Sequence, residues 1–363
     1  MTITIDCRMY NASGIGVYLR GCLPYFLNSG NDLLLLGDQS SLQSYKSKNV
    51  KILGCGVKIF TFNEIFFFPR SLLKQINKTD IYYSPFFNVP RGVKIPVYIT
   101  IHDIIFPDMP EISSKTGLMA RMWFYRRAYK KSKKIFTVSQ FSKSRIEYHL
   151  GSSKPVIVTH SAVQQMFLEY RAQLERETSL HNAKPVKKKE TIIFIGNIKK
   201  HKGLDILLDA FLSARNEGLR HKLVIIGSKG NFRTSDTGIM QKIESMGEDA
   251  VSFTGFVSDE ALLEHLSCAS LLVQPSLYEG FCLPPLEAMV LGTNVLISDI
   301  PVLREIYENY PAVFFKAGDS NSLKMKFLEL LLNKNISSPA LSDDLLLRYT
   351  FKKTASRILG ELE

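Results

Sequence analysis

The chain has 363 residues, of which 45% are hydrophobic and 22% charged, a mix that excludes disorder, fibrous repeats and a membrane-spanning bundle. Its length predicts about two domains. The formal net charge of +12 favours anionic partners, whether nucleotide phosphates, acidic lipid headgroups or nucleic acid, without choosing among them.

In chain order, short β-branched and aromatic runs predict strands at 2–7, 32–37, 57–62, 81–84, 97–102, 135–139 and 156–159, each too far from the next for a hairpin. Amphipathic segments fill most of the gaps, and parallel strands need such crossovers. The segment 168–190 lacks a strand pattern, is rich in charge and ends in Lys187-Lys188-Lys189-Glu190, which reads as a linker. A second series follows at 191–195, 222–226, 251–253, 271–275, 295–298 and 312–315, with helical patterns such as 203–216 and 286–291 between. The expected organisation is a Rossmann-like domain over 1–165, a linker over 166–190 and a second Rossmann-like domain over 191–347. Ligands are expected at the carboxyl ends of the strands, in a cleft between the domains.

Five scattered cysteines, Cys7, Cys22, Cys55, Cys268 and Cys282, form no C-x-x-C pair and no zinc ladder, so they read as reduced thiols. The most apolar runs, 59–69 and 191–198, fall short of the roughly 20 residues of a spanning helix. The first residues lack the charged-then-apolar pattern of a leader. The expected location is the cytoplasm.

The richest chemistry lies in Ser276-Leu-Tyr-Glu-Gly-Phe-Cys-Leu-Pro-Pro-Leu-Glu-Ala-Met289, directly after a predicted strand. Pro284 and Pro285 suit the opening turn of a helix, and Gly292 suits its stop. Gly280 permits a tight loop, placing the N–H groups of Phe281, Cys282 and Leu283 at the positive end of the helix dipole. Such a loop binds phosphate. Glu279 and Glu287 flank it, about 12 Å apart if every step between them were helical. That exceeds the roughly 5–10 Å of a glycosidase acid–base pair and suits two hydroxyl-binding carboxylates, one for a sugar and one for a ribose diol. The plain alternative is a proline-capped helix with two solvated glutamates.

This segment resembles the E-x7-E signature of the retaining family 4 glycosyltransferases, whose GT-B fold sets two Rossmann-like domains facing each other across a deep cleft. Ser13-Gly14-Ile-Gly16-Val-Tyr18 is similar to the family's glycine loop, and Ile101-His102-Asp103 with Pro110-Glu111 to its histidine segment. Thr137–Ser142, Phe194–Leu204, Phe253–Asp259 and Arg348–Lys352 also follow the family's order. The resemblance implies that residues 348–363 form a last helix crossing back to the first domain. Gly14 and Gly16 would approach the donor β-phosphate, His102 would contact the transferring sugar, and Lys202 would neutralise the diphosphate. Glu279 joins His102 and Lys202 as a catalytic residue. Donor binding would also use Gly196, Asn197, Gly280, Phe281, Cys282, Leu283 and Glu287, with Gly255 to Val257 lining the base pocket. Where many relatives carry an arginine this chain has Asn197, so His201 or Lys199 would supply the missing charge. Residues 158–163 also depart from the family's Asn-Gly-Val pattern. No D-x-D occurs, and no metal or cofactor is expected.

The resulting expectation is a retaining transfer of a hexose from a nucleotide-diphosphate sugar to a glycan acceptor in bacterial surface polysaccharide (O-antigen or capsule) synthesis. GDP-mannose leads, and UDP- or dTDP-sugars follow. Basic residues of 121–134 alternate with Trp123, Phe124, Tyr125 and Tyr129, which suits an anionic membrane surface at the inner face of the plasma membrane and an undecaprenyl-diphosphate-linked acceptor. A solvated, half-packed helix would look the same. The run 60–68 reads as core or as an acceptor groove. A nucleotide-sugar epimerase shares the architecture but needs no second sugar. A basic polyanion-binding protein would need platforms for bases that do not stand out elsewhere, so nucleic acid is not expected. A dehydrogenase would need a G-x-G-x-x-G after the first strand, and none is there.

Overall fold

The computed structural model describes residues 1–12, 14–181, 186–227, 237–332 and 343–362. Ser13 of the glycine loop, residues 182–185 of the expected linker and Glu363 lie outside them. The chain divides into two compact units, one made of Met1–Ala162 and Arg348–Glu363, the other of Val163–Leu347.

The first unit is built on a seven-stranded sheet: β1 (Thr2–Asp6), β2 (Asp32–Gly37), β3 (Val50–Gly54), β4 (Ile81–Ser84), β5 (Val97–Thr100), β6 (Lys134–Thr137) and β7 (Val156–Val158). The order is β3-β2-β1-β4-β5-β6-β7, and every strand pairing is parallel. Strands such as β2, with Leu33, Leu34, Leu35 and Leu36 all buried, lack alternation because helices cover both faces. The second unit repeats the plan with β8 (Lys189–Ile195), β9 (Lys222–Ile226), β10 (Val251–Gly255), β11 (Ala269–Gln274), β12 (Asn294–Ser298) and β13 (Ala312–Phe315). Its order is β10-β9-β8-β11-β12-β13, again with every pairing parallel. Strand addition reverses between β1 and β4 in one sheet and between β8 and β11 in the other. These are the positions where open α/β sheets leave a crevice at the carboxyl ends of their strands.

One expected strand is absent. Residues 57–62 carry no strand; β3 lies earlier, at Val50–Gly54, and a short helix occupies Phe62–Phe66. The reason is a buried charged network that competes with the ladder. Arg8 sits between Asp6 and Glu64, with Nη2 at 2.6 Å from Asp6 Oδ2 and 2.7 Å from Glu64 Oε1. All three side chains are at most 3% exposed. Tyr82 Oη and Asn88 Nδ2 also donate to Asp6, and Arg8 Nη1 reaches the Val57 carbonyl. Glu64 in turn accepts from the Phe60 N–H, and Phe60 takes a φ of 55°, a conformation no strand tolerates. Burial raises the Asp6 pKa, but the Arg8 charge and hydrogen bonds outweigh it and hold this carboxyl below its ordinary value.

The expected linker is also structured. Gln165–His181 is a helix of the second unit, with Phe167 fully buried. Its charges are helix partners rather than linker solvation: Arg171 pairs with Glu175, and Gln173 donates to Glu177, both at i,i+4. At the other end Thr350 caps the helix Phe351–Glu361. That helix lies on Gly14–Leu27, where a β-carbon on Gly21 would come within 2.3 Å of the Phe351 ring.

Removing one member of a buried charged network strands the others. Arg8→Met is expected to cost about 3–5 kcal/mol, read as a lower urea midpoint for unfolding of the first unit; a change within about 0.5 kcal/mol contradicts this role.

Candidate functional site

In the second unit the loops after β8 and β11 meet at the reversal of strand order. Lys200–Lys202 form a single 3-10 turn that ends at Gly203 with φ 65°. A β-carbon at Gly203 would lie 2.1 Å from the Pro275 carbonyl oxygen, so only glycine lets the two loops pass this closely. The Leu277 N–H then donates to the His201 carbonyl at 2.7 Å, closing the contact. A second close approach, 2.1 Å from a β-carbon on Gly227 to the Gly196 carbonyl, sets the end of β8 against β9.

This packing delivers Lys202 Nζ to Glu279 Oε1 at 2.6 Å. Glu279 is 9% exposed at its side chain and Lys202 22%. Ser276 Oγ donates to the same oxygen at 2.7 Å, and Gln274 Nε2 donates to Ser276 Oγ at 3.0 Å, forming a short buried relay from the strand end to the carboxylate. Burial alone would raise the Glu279 pKa; the Lys202 charge, its hydrogen bond and that of Ser276 outweigh it, and the group stays ionised.

Beyond Glu279 the chain enters the helix Leu283–Val290 with Pro284 and Pro285 in its first turn. The left-handed residue of this loop is Cys282, at φ 73°, rather than Gly280. A buried non-glycine residue in that region costs about 1–3 kcal/mol and marks functional sites. Tyr307 Oη holds it there by donating to the Cys282 carbonyl. Gly280, Phe281 and Cys282 are buried and Leu283 half-buried, so the backbone at the positive helix end is shielded, the setting in which an anion is bound. Glu287, one turn in, accepts from Gln164 Nε2 at 3.4 Å, and burial pushes its pKa up to about 7.

The remaining expected residues fall into two groups. Gly196 and the half-buried Asn197 stand at the end of β8, beside the Lys202 turn. Val257 is half-buried two residues past Gly255, which ends β10 with φ 73°. His201 is held neutral, its pKa lowered to about 4 by burial and by Lys202 and Lys199.

In the first unit Gly14 and Gly16 open the helix Gly14–Leu27. They differ in kind. A β-carbon on Gly14 would meet nothing within 4 Å, whereas one on Gly16 would lie 2.6 Å from the Tyr10 carbonyl. Gly16 is thus required by its own unit's packing, whereas Gly14 borders open space. His102 lies just past β5, its Nε2 at 2.9 Å from the Pro85 carbonyl, and packs edge-on against Tyr18 at 4.8 Å. Burial lowers its pKa to about 4. The imidazole is neutral, with Nε2–H donating to the carbonyl.

Sequence reading had no means to find Ser276, Gln274, Tyr307 and Gln164 as partners. Their roles depend on which strand ends lie side by side, and only Ser276 falls within the motif.

For Glu287 the folded-state pKa is raised, so its contribution is complete below the ordinary carboxylate value and is lost as pH rises through about 7. Glu287→Gln is therefore expected to melt higher than the wild type at alkaline pH, by the order of 3 kcal/mol, and near parity in acid. Equal melting on both sides of neutrality would contradict the shift.

Residues 175–342 match the family model of the glycosyl transferases group 1. The O-antigen chain mannosyltransferase B of Escherichia coli is 30% identical over 237 residues, 63% of this chain and 59% of that protein. The O-antigen chain mannosyltransferase RfbU of Salmonella typhimurium is 26% identical over 235 residues, 62% of this chain and 58% of that protein. The aligned part of the chain thus spans about three fifths of these relatives' length. The crystal structure of Anabaena Alr3699/HepE in complex with UDP-glucose superposes with a TM-score of 0.72 at 16% identity, covering 99% of this chain and 98% of that one. The chain has the GT-B fold, and most of its second unit matches the group 1 glycosyl transferases.

Proposed function

We propose that the chain is a retaining glycosyltransferase that moves a hexose from a nucleotide-diphosphate sugar to a glycan acceptor in bacterial surface polysaccharide synthesis. The observation that carries this reading is the Lys202–Glu279 pair beside the shielded N-terminus of the helix Leu283–Val290. The arrangement pairs a cationic and a backbone seat for a diphosphate with a carboxylate that stays ionised to accept sugar hydroxyls. Glu287, one turn further, takes the ribose diol. GDP-mannose is the leading donor, because the O-antigen relatives named above are mannosyltransferases; UDP-sugars come next, since the Anabaena protein binds UDP-glucose.

In this mechanism the bond between the anomeric carbon and the β-phosphate oxygen breaks first, and the charge growing on the diphosphate is met by Lys202 and the loop N–H groups without a metal. The acceptor hydroxyl attacks the same face of the oxocarbenium-like sugar, and a phosphate oxygen takes its proton, so configuration is retained. Binding in the right geometry supplies the rest of the rate. Gly14 gives backbone access to the β-phosphate. His102, neutral throughout the physiological range, orients the sugar by hydrogen bonding rather than by charge. The acceptor is lipid-linked, on an undecaprenyl diphosphate, and the enzyme works from the cytoplasmic side of the membrane.

With GDP-mannose, UDP-glucose and dTDP-glucose tested separately on lipid-linked acceptor extract, one donor is expected to release nucleotide in an acceptor-dependent way in the presence of a chelator. Lys202→Ala should lower its kcat/KM by about 10²–10³. Turnover restored only by a divalent metal, or unchanged in Lys202→Ala, would overturn the reading.

A further inference from the structure

The buried network of the first unit fixes a short helix, Phe62–Phe66, in an unusual attitude. Glu64 and Ile65 face inward and are 1% and 6% exposed, while Phe62, Phe66 and the following Phe67 stand 79%, 54% and 75% exposed. Phe62 and Phe66, one turn apart, stack on each other at 5.8 Å. Contacts on both sides of Glu64 hold the helix in this attitude. Thr61 caps it, Glu64 is clamped by Arg8 and Asn88, and Phe60 is packed among Phe86, Phe87 and Phe124.

Phe124 belongs to the helix Lys115–Lys131, which places that helix beside the aromatic run. Of the aromatic residues expected to face a membrane, Tyr125 and Tyr129 are core residues. The basic ones divide likewise: Arg121 lies over the Phe106 ring, Arg127 donates to the Val89 carbonyl and Lys134 pairs with Glu361. The exposed stripe is Met119, Trp123, Arg126 and Lys130, with Lys131 alongside, apolar toward one end and basic toward the other. Arg91 adds a guanidinium over the Phe66 ring.

We propose that Phe62, Phe66 and Phe67 insert into the interface of an anionic bilayer, with Met119 and Trp123 at the headgroup level and Arg91, Arg126, Lys130 and Lys131 on the lipid phosphates. Two exposed phenylalanines on a clamped helix and a third just past its end are apolar area that water disfavours and an interface accepts. The basic residues beside them select anionic lipid, and the chain's +12 charge supports the same partner. The Lys115–Lys131 helix gives charge, and the Phe62–Phe67 segment gives depth. The inference rests on the reading of a lipid-linked acceptor only for its purpose; the surface itself stands without it.

The chain's single tryptophan is Trp123, so its fluorescence reports on this face alone. Vesicles of phosphatidylcholine, with and without phosphatidylglycerol, are titrated into the full chain, with binding read by cosedimentation and by the Trp123 emission maximum. The wild type is expected to bind the anionic vesicles with a blue shift. The triple change Phe62→Ser, Phe66→Ser and Phe67→Ser should weaken binding by about tenfold or more at low and high salt alike. Arg126→Glu with Lys130→Glu should instead remove the preference for anionic lipid. All three residues of the triple change are exposed, and unchanged circular dichroism and nucleotide binding verify that each variant is folded. Vesicle binding by the triple variant equal to the wild type, or no binding by the wild type, overturns this inference. Loss of nucleotide binding by the wild type with vesicle binding intact overturns only the transferase reading.

Discussion

The second unit's chemistry depends on one close passage of backbone, Gly203 against the Pro275 carbonyl. A side chain on Gly203 would lie 2.1 Å from that oxygen, so the loops after β8 and β11 meet only because glycine stands there. Everything nearby follows from the contact. The His201 carbonyl receives the Leu277 N–H, Lys202 reaches Glu279 at 2.6 Å, and Ser276 steadies the same carboxylate from behind. A lysine and a carboxylate this close and this buried neutralise each other, and in the proposed function a diphosphate draws on the lysine and a sugar on the carboxylate. The two glutamates eight residues apart have opposite electrostatic fates. Glu279 is held ionised by Lys202, whereas Glu287, with Gln164 as a neutral partner, is pushed toward neutrality by burial.

The first unit uses a buried charge network for a different end. At the same reversal of strand order, Arg8 ties Asp6, Glu64, Asn88 and the Val57 carbonyl into one cluster. Such a cluster contributes little net stability over an apolar core but fixes one arrangement. That arrangement is what holds the Phe62–Phe66 helix with its rings outward. His102 and Gly14 belong to the same strand-end region of this unit, so its carboxyl edge carries both the residues assigned to the donor and the surface assigned to the membrane.

The doubly wound plan was legible because parallel strands buried on both faces write continuous apolar runs, and all but one of the expected strands were found within two residues at either end. The failure at 57–62 has a clear cause. Val57, Ile59, Phe60 and Phe62 have strand-like composition, yet the Val57 carbonyl is claimed by Arg8, 49 residues away in sequence, and the Phe60 N–H by Glu64, four residues on and itself clamped by Arg8. The charges of 168–181 misled in the opposite sense, since Arg171–Glu175 and Gln173–Glu177 support a solvated helix as readily as a linker. At the site, the order of the E-x7-E segment was enough to place its proline-led helix within a residue or so of Leu283–Val290. The left-handed turn could not, because it falls on Cys282 rather than on a glycine, and neither could the distinct fates of Gly14 and Gly16, which turn on the Tyr10 carbonyl.

In the proposed function Glu279 and a donor diphosphate compete for Lys202. Calorimetric binding of GDP and UDP, with a chelator present, to the wild type and to Glu279→Gln tests this most directly. Losing the glutamate should release Lys202 from this ion pair and remove a nearby negative charge, so the preferred nucleotide is expected to bind Glu279→Gln several-fold more tightly while sugar transfer is lost. Weaker nucleotide binding to Glu279→Gln than to the wild type would contradict the account.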